Sequence, residues 1–295
     1  MAVTTVFGLL NINKPAGWTS RDVVNRVQRF VRPARAGHAG TLDPLATGVL
    51  VVCVGRATRL IEYVQAGRKR YRGTFLLGRE SDTEDISGEV RELTAPPIPS
   101  RAAIEAALLP FIGMIQQRPP AYSALKVQGQ RAYDLARAGK TVDLAPRTIE
   151  VFALSLVGYA YPELVLDIEC SGGTYVRSLG RDIALSLGTG AVMSSLVRTA
   201  VGPFPLSEAC ELDALSPANI PSLLLPPALA VEQLPRIVVS ENDTLRIVQG
   251  KQLVLAEDIA GDEIAAFDDA GHLIAILRRQ AGAWHPEKVF RSHLD

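Results

Sequence analysis

Between Gly37 and Gly48 the chain reads Gly-His-Ala-Gly-Thr-Leu-Asp-Pro-Leu-Ala-Thr-Gly, and an unbroken apolar run follows over residues 49–54. The β-branched residues of that run predict a buried strand. Ahead of it, three glycines and a proline enclose a single carboxylate, Asp43. Glycine permits positive φ and lets another backbone come close, so the loop is shaped to hold Asp43 against something. A tight turn whose aspartate caps local amides is an equal alternative at this level.

The surrounding pattern mixes strands and helices. Residues 6–12 read as a buried strand ended by the turn chemistry of Lys14-Pro15-Ala16-Gly17. Thr19 or Ser20 can cap a helix with Val23, Val24, Val27 and Phe30 or Val31 on one face, and Arg21, Arg29 and Arg32 on the opposite arc. Strands are predicted over 71–77, 149–159 and 164–170. Ser100 caps a helix carrying Ile104, Leu108 and Phe111, and a further helix over 176–187 stops at Gly188. Pro119-Pro120 opens a segment rich in Gly, Arg and Tyr, to Pro146, that reads as an inserted flap. Beyond Pro235, short apolar runs divided at Gly250, Gly261, Gly271 and Gly282 predict a small β-rich domain over 236–295.

Charge sharpens the picture. The 31 basic and 31 acidic residues cancel, but residues 1–79 hold 13 basic against three acidic residues, an excess of +10 that residues 80–295 reverse. A polyanion partner is therefore compatible with the neutral total. Cys53, Cys170 and Cys210 are isolated, and the four histidines form no HxH or HExxH spacing, so neither a disulfide framework nor a metal centre is expected. No phosphate-binding glycine motif, secretory signal or membrane-length apolar run is present, and a reducing cytoplasm is the expected setting.

Six blocks in order carry a resemblance. NKPAGWTS at 13–20, GHAGTLDPLATGVL at 37–50, Lys69-Arg70-Tyr71, RPPAYSALKVQGQRAYDLAR at 118–137, Gly173-Thr174-Tyr175-Val176-Arg177 and Leu196-Val197-Arg198-Thr199 together resemble the TruB family of tRNA pseudouridine synthases. The resemblance implies an α+β fold: a pseudouridine synthase catalytic fold over 1–230, with a central mixed, largely antiparallel sheet flanked by helices and an RNA-contacting flap at about 119–146. It further implies a small PUA-like RNA-binding domain over 236–295. The implied reaction is isomerisation of uridine to pseudouridine at position 55 in the T loop of tRNA, by base flipping and without a cofactor. The implied partner is the tRNA T-arm stem-loop, met by a monomer without guide RNA and without a membrane.

The resemblance also assigns roles. Asp43 is the catalytic carboxylate, and Arg177 pairs with it. Tyr71 stacks on the target base, Leu196 walls the uracil pocket, and His38 enters the RNA loop near the extruded nucleotide. Tyr175 belongs to the site. Lys14 can serve either phosphate contact or structural support. Arg21, Arg29, Arg32, Lys69 and Arg70, with Lys126 and Arg131 in the flap, are the expected RNA contacts. A second reading uses the same surface for an RNA chaperone that helps tRNA fold, with catalysis secondary.

Overall fold

Residues 8–14 and 47–54 form two strands buried on both sides, the second apolar almost throughout and the first also burying Asn11 and Lys14. β1 (Gly8–Lys14) pairs antiparallel with β3 (Thr47–Val54), from Gly8↔Val54 to Lys14↔Gly48. Between them lie α1 (Ser20–Val31) and the short β2 (Ala36–His38), which also pairs with β3. A capping box starts α1. Thr19 Oγ1 accepts the Asp22 N–H at 3.1 Å, and Asp22 Oδ2 accepts the Thr19 N–H at 3.0 Å. Val23, Val24, Val27 and Val31 face inward, and Arg21 and Arg29 are exposed. The computed structural model describes residues 6–120, 122, 126–127, 130–131, 144–255 and 258–291.

The chain continues through α2 (Ile61–Ala66), β4 (Lys69–Leu77) and a ribbon of β5 (Arg79–Glu80) with β6 (Arg91–Glu92). Ser100 caps α3 (Arg101–Leu108) as expected, but Phe111 falls in a separate single turn, because Pro110 lacks the N–H that would carry the helix on. Then come β7 (Gly113–Gln117), β10 (Arg147–Ala160), β11 (Glu163–Cys170), α4 (Val176–Ser186), β12 (Ala191–Val201), β13 (Phe204–Pro205) and β14 (Cys210–Glu211). Most of the inserted flap lies outside the described residues. Its described part holds β8 (Lys126–Val127) paired with β9 (Gln130–Arg131).

The central sheet runs β14-β1-β3-β12-β4-β11-β10-β7, with β2 on β3 and β13 on β12. Only β1–β14 and β3–β12 are parallel pairs, so the sheet is mixed and largely antiparallel, as expected. The β3–β12 pairing decides where the Asp43 loop sits. Gly48, at φ +97°, approaches β12 so closely that a Cβ there would lie 2.3 Å from Arg198 O. α4 lies equally close to the sheet, since a Cβ on Gly180 would meet the Phe75 ring at 2.0 Å.

Apolar clusters fill both faces. α3 and α4 pack Ile104, Leu108, Leu179 and Ile183 against Phe75, Leu77 and Leu164, while α1 packs its valines on Leu10, Ile12, Leu50 and Val52. The C-terminal part is a separate four-stranded sheet, β15 (Arg236–Val238), β16 (Glu263–Phe267), β17 (Leu273–Gln280) and β18 (Ala283–Val289), in that order, with α5 (Glu241–Val248) against it. One face buries Ile247, Ile264, Ile274 and Trp284. Ala265, Phe267, Leu273 and Ile276, with Phe290 beyond the last strand, instead join a cluster with Leu9, Leu60 and Tyr63 of the larger part. No helix among the described residues is long and apolar enough to cross a membrane.

Candidate active site

Asp43 is held by its neighbours on both sides. Ser20 Oγ accepts the Leu42 N–H at 2.8 Å and donates to Leu42 O at 3.1 Å. On the other side, Pro44 O accepts the Gly17 N–H at 2.8 Å and faces Lys14 Nζ at 3.5 Å. Lys14 is fully buried and also donates to Pro15 O at 2.9 Å and Trp18 O at 2.8 Å. Burial lowers its pKa to about 8, with the Asp43 charge opposing and Arg198 assisting. Of the two roles open to Lys14, structural support is the one this placement serves. The segment 13–20 is thus a cradle for the loop that carries the carboxylate.

The Asp43 side chain keeps 40% of its surface exposed, and Arg177 Nε stands 3.1 Å from Oδ2. Arg177 is the second residue of α4 and only 7% exposed in its side chain. Its remaining nitrogens donate to Thr83 O at 2.7 Å and Tyr122 O at 3.1 Å, and Nη1 lies 3.5 Å from Asp85 Oδ2. Asp85 is itself fixed by Thr83 Oγ1 at 2.8 Å, by the Ser87 N–H at 2.9 Å and by Ser87 Oγ. The preceding Glu84 adopts a left-handed turn, φ 61°, and accepts Ser178 Oγ at 2.6 Å from α4. One guanidinium therefore sits between two carboxylates, of which Asp43 alone is substantially exposed.

Tyr71 on β4 is in register with Arg198 on β12, and Gly73 with Leu196. Paired residues point to one face, so Tyr71, Leu196 and Arg198 share a side of the sheet. Arg198 is 1% exposed and donates to Val49 O at 2.7 Å, Gly40 O at 3.2 Å and Thr41 O at 3.4 Å. Burial pushes the Tyr71 phenol's pKa up, with the neighbouring Arg198 charge opposing. Leu196, 7% exposed, packs with Leu42 and Phe75. His38 on β2 is half-buried, and its pKa is lowered first by burial and then by Arg198 and Arg21, which favours a neutral ring. Tyr175 precedes α4 with the Arg147 guanidinium 4.6 Å above its ring.

The basic surface divides in two. Arg21, Arg29 and Arg32 are exposed and make no ion pair with a described carboxylate. On β4, Arg72 forms a bidentate pair with Asp167 at 2.8 Å, and Arg70 and Arg68 face Glu169 at 3.3 and 3.4 Å. Lys69 departs from the expected phosphate contact. Strand alternation turns it inward, where it is 5% exposed, its ammonium donates to Gln65 O and Gly67 O, and burial lowers its pKa to about 8. Lys126 and Arg131 lie on β8 and β9, with their side chains outside the described residues.

Sequence reasoning missed Arg198, Asp85 and Gln117. Arg198 stood inside the Leu-Val-Arg-Thr run with no role given to it. Asp85 ends an acidic stretch, Glu80-Ser-Asp-Thr-Glu-Asp, in which no pattern marks one acid over another. Among the described residues, no group of three His, Cys, Asp or Glu side chains is placed to hold a metal ion.

Known proteins resemble this chain in sequence and in fold. The family profile "TruB family pseudouridylate synthase (N terminal domain)" matches residues 28–176, and "tRNA pseudouridylate synthase B C-terminal domain" matches 177–222. The chain is 41% identical over 288 residues to tRNA pseudouridine synthase B of Dehalococcoides mccartyi strain CBDB1, covering 96% of each chain. It is 39% identical to the protein of that name from Thermobifida fusca, covering 96% of this chain and 98% of that one. Among solved structures, the Cbf5-Nop10-Gar1 complex contains a chain of 26% identity and TM-score 0.76, with 97% of this chain and 85% of that chain covered.

Proposed function

The chain belongs to the TruB family of pseudouridylate synthases, and we propose that it isomerises uridine to pseudouridine at position 55 in the T loop of tRNA. The carrying observation is the exposed Asp43 carboxylate fixed by the buried Arg177 at 3.1 Å.

The reaction breaks the N1–C1′ bond, turns the uracil and rejoins C1′ to C5. C5 gives up a proton and N1 takes one, so atoms and electrons balance without an oxidant. Asp43 supplies a carboxylate as nucleophile, proton acceptor or electrostatic partner of the sugar. Arg177 holds that carboxylate in place. Tyr71 and Leu196 offer an aromatic face and an apolar wall to a base taken out of the stack, and the neutral His38 ring is suited to the space it leaves. Arg21, Arg29 and Arg32, which pair with no described carboxylate, suit phosphates of the T arm. The small C-terminal sheet serves as a PUA-like RNA-binding unit, and the enzyme acts in the cytoplasm as a single chain without guide RNA.

Purified protein with an unmodified T-arm transcript, without metal or cofactor, tests this reading. Pseudouridine should form with wild-type protein and not with Asp43→Asn, which still folds and binds the RNA. Near-normal turnover by the variant, or dependence on a guide RNA, would sink the assignment. The α1 arginines are separate from the carboxylate, which favours a second activity, assistance to tRNA folding that needs no chemistry. Rescue of tRNA folding by the Asp43→Asn protein supports it, and no rescue rejects it.

A further inference from the structure

β7 ends at Gln117, just before Pro119-Pro120 leads into the flap. The Gln117 side chain is fully buried and makes both of its hydrogen bonds to a single residue. Nε2 donates to Tyr175 O at 3.0 Å, and Oε1 accepts the Tyr175 N–H at 2.8 Å. Tyr175 is the N-cap of α4, and its own side chain makes no capping bond. At α1 and α3 the helix start is fixed by the local side chains of Thr19 and Ser100. At α4 the start is fixed from 58 residues away, by the buried amide.

Two further bonds join the same regions. Tyr122 O accepts Arg177 Nη2 at 3.1 Å, and Arg118 O accepts Arg181 Nη2 at 3.2 Å. Arg181 also pairs with Glu84, next to the Asp85 that faces Arg177. These bonds run from residues 117, 118 and 122 to residues 175, 181 and 177 in the first two turns of one helix and its N-cap.

We infer that Gln117 is a positioning residue: by clamping the Tyr175 peptide it sets the start of α4, so that Arg177 presents Nε to Asp43, and it ties that orientation to the root of the flap. The inference rests on the Asp43–Arg177 pair serving the reaction proposed above. Its logic is geometric. Arg177 lies two residues beyond the clamp, and a shift of about 1 Å in a reacting group costs on the order of 100-fold in rate. The effect belongs to the chemical step, because Gln117 is buried and presents no group to an RNA.

The test compares wild type with Gln117→Leu, which has a similar volume and neither bond. Single-turnover rates at saturating protein and Kd for a T-arm stem-loop are measured, with the Arg177 Nε–H resonance followed in RNA-free, 15N-arginine-labelled protein. The expected result is a rate fall of about ten- to 100-fold with Kd changed by less than about threefold, and a moved Nε–H resonance. A wild-type rate, a loss confined to Kd, or an unmoved resonance overturns the inference. If the leucine variant does not fold, Gln117→Glu keeps the acceptor for the Tyr175 N–H, removes the donor to its carbonyl, and is read in the same way. Should wild-type protein prove inactive on the RNA, the functional reading fails, and the resonance alone still decides the positioning role.

Discussion

Ser20 holds the Leu42 peptide by both its N–H, at 2.8 Å, and its carbonyl, at 3.1 Å, so the first turn of α1 fixes the residue before Asp43. Ser20→Ala leaves both groups buried without this partner. We expect a loss of about 1–3 kcal/mol in unfolding free energy from denaturant melts. The single-turnover rate should also fall, with RNA affinity retained. Unchanged stability and rate would mean that Ser20 is only a helix-starting residue.

Arg198 bonds three carbonyls of the loop and strand that carry Asp43. Lysine keeps the charge but cannot reach three divergent acceptors from one ammonium. Arg198→Lys should destabilise by at least one charged hydrogen bond, about 1.5–3 kcal/mol. Thermal melts check this. A variant as stable as wild type would show that β3 and β12 hold the loop without the guanidinium.

Asp85 faces the side of Arg177 away from Asp43. In Asp85→Asn the arginine loses its second carboxylate while the Thr83 and Ser87 contacts remain possible. The rate should fall while Kd for the T-arm stem-loop holds. A change in Kd alone would place Asp85 in RNA binding instead.

Arg29 and Arg32 pair with no described carboxylate, whereas Arg72 is bound through Nε and Nη2 by Asp167. Replacing either of the first two by Gln should lower the salt slope of RNA binding by about 0.7. Arg72→Gln should leave the slope as it is. Equal slopes for all three variants would remove α1 from the RNA surface.

Lys69 titrates at about 8 in the folded protein against the ordinary 10.5. Between those values the unfolded chain binds more protons than the folded one, so this lysine's contribution to stability rises with pH and is lost as pH falls through about 8. Urea midpoints from about pH 7.5 to 10 should rise more steeply for wild type than for Lys69→Met. Parallel profiles would show that the ammonium pays no desolvation penalty.

Much of the site was legible in the sequence, because the runs around Asp43, Tyr71, Arg177 and Leu196 carry their spacing with them. The helix start at Thr19 and the alternation at 164–170 were legible too, since both are set by near neighbours. What long-range register decides was not. Nothing local sets Asp167 and Glu169 opposite Arg72 and Arg70, as the pairing of β11 with β4 does. Part of the basic excess is thereby neutralised. Lys69 was misread because a lysine is ordinarily exposed, although the inward parity of Phe75 and Leu77 on the same strand already assigned it the buried side. Arg198 and Gln117 answer main-chain groups far off in the chain, and no local pattern announces such partners.

The two sheets share one apolar cluster. Phe267, Leu273 and Phe290 are buried with Leu9, Leu60 and Tyr63, so a truncation before residue 236 would bare a sticky face on the larger piece. Such a piece should aggregate where the whole chain stays dispersed. The small sheet is seated on the larger one through this cluster, so a stem-loop reaching both parts would meet contacts at a set spacing.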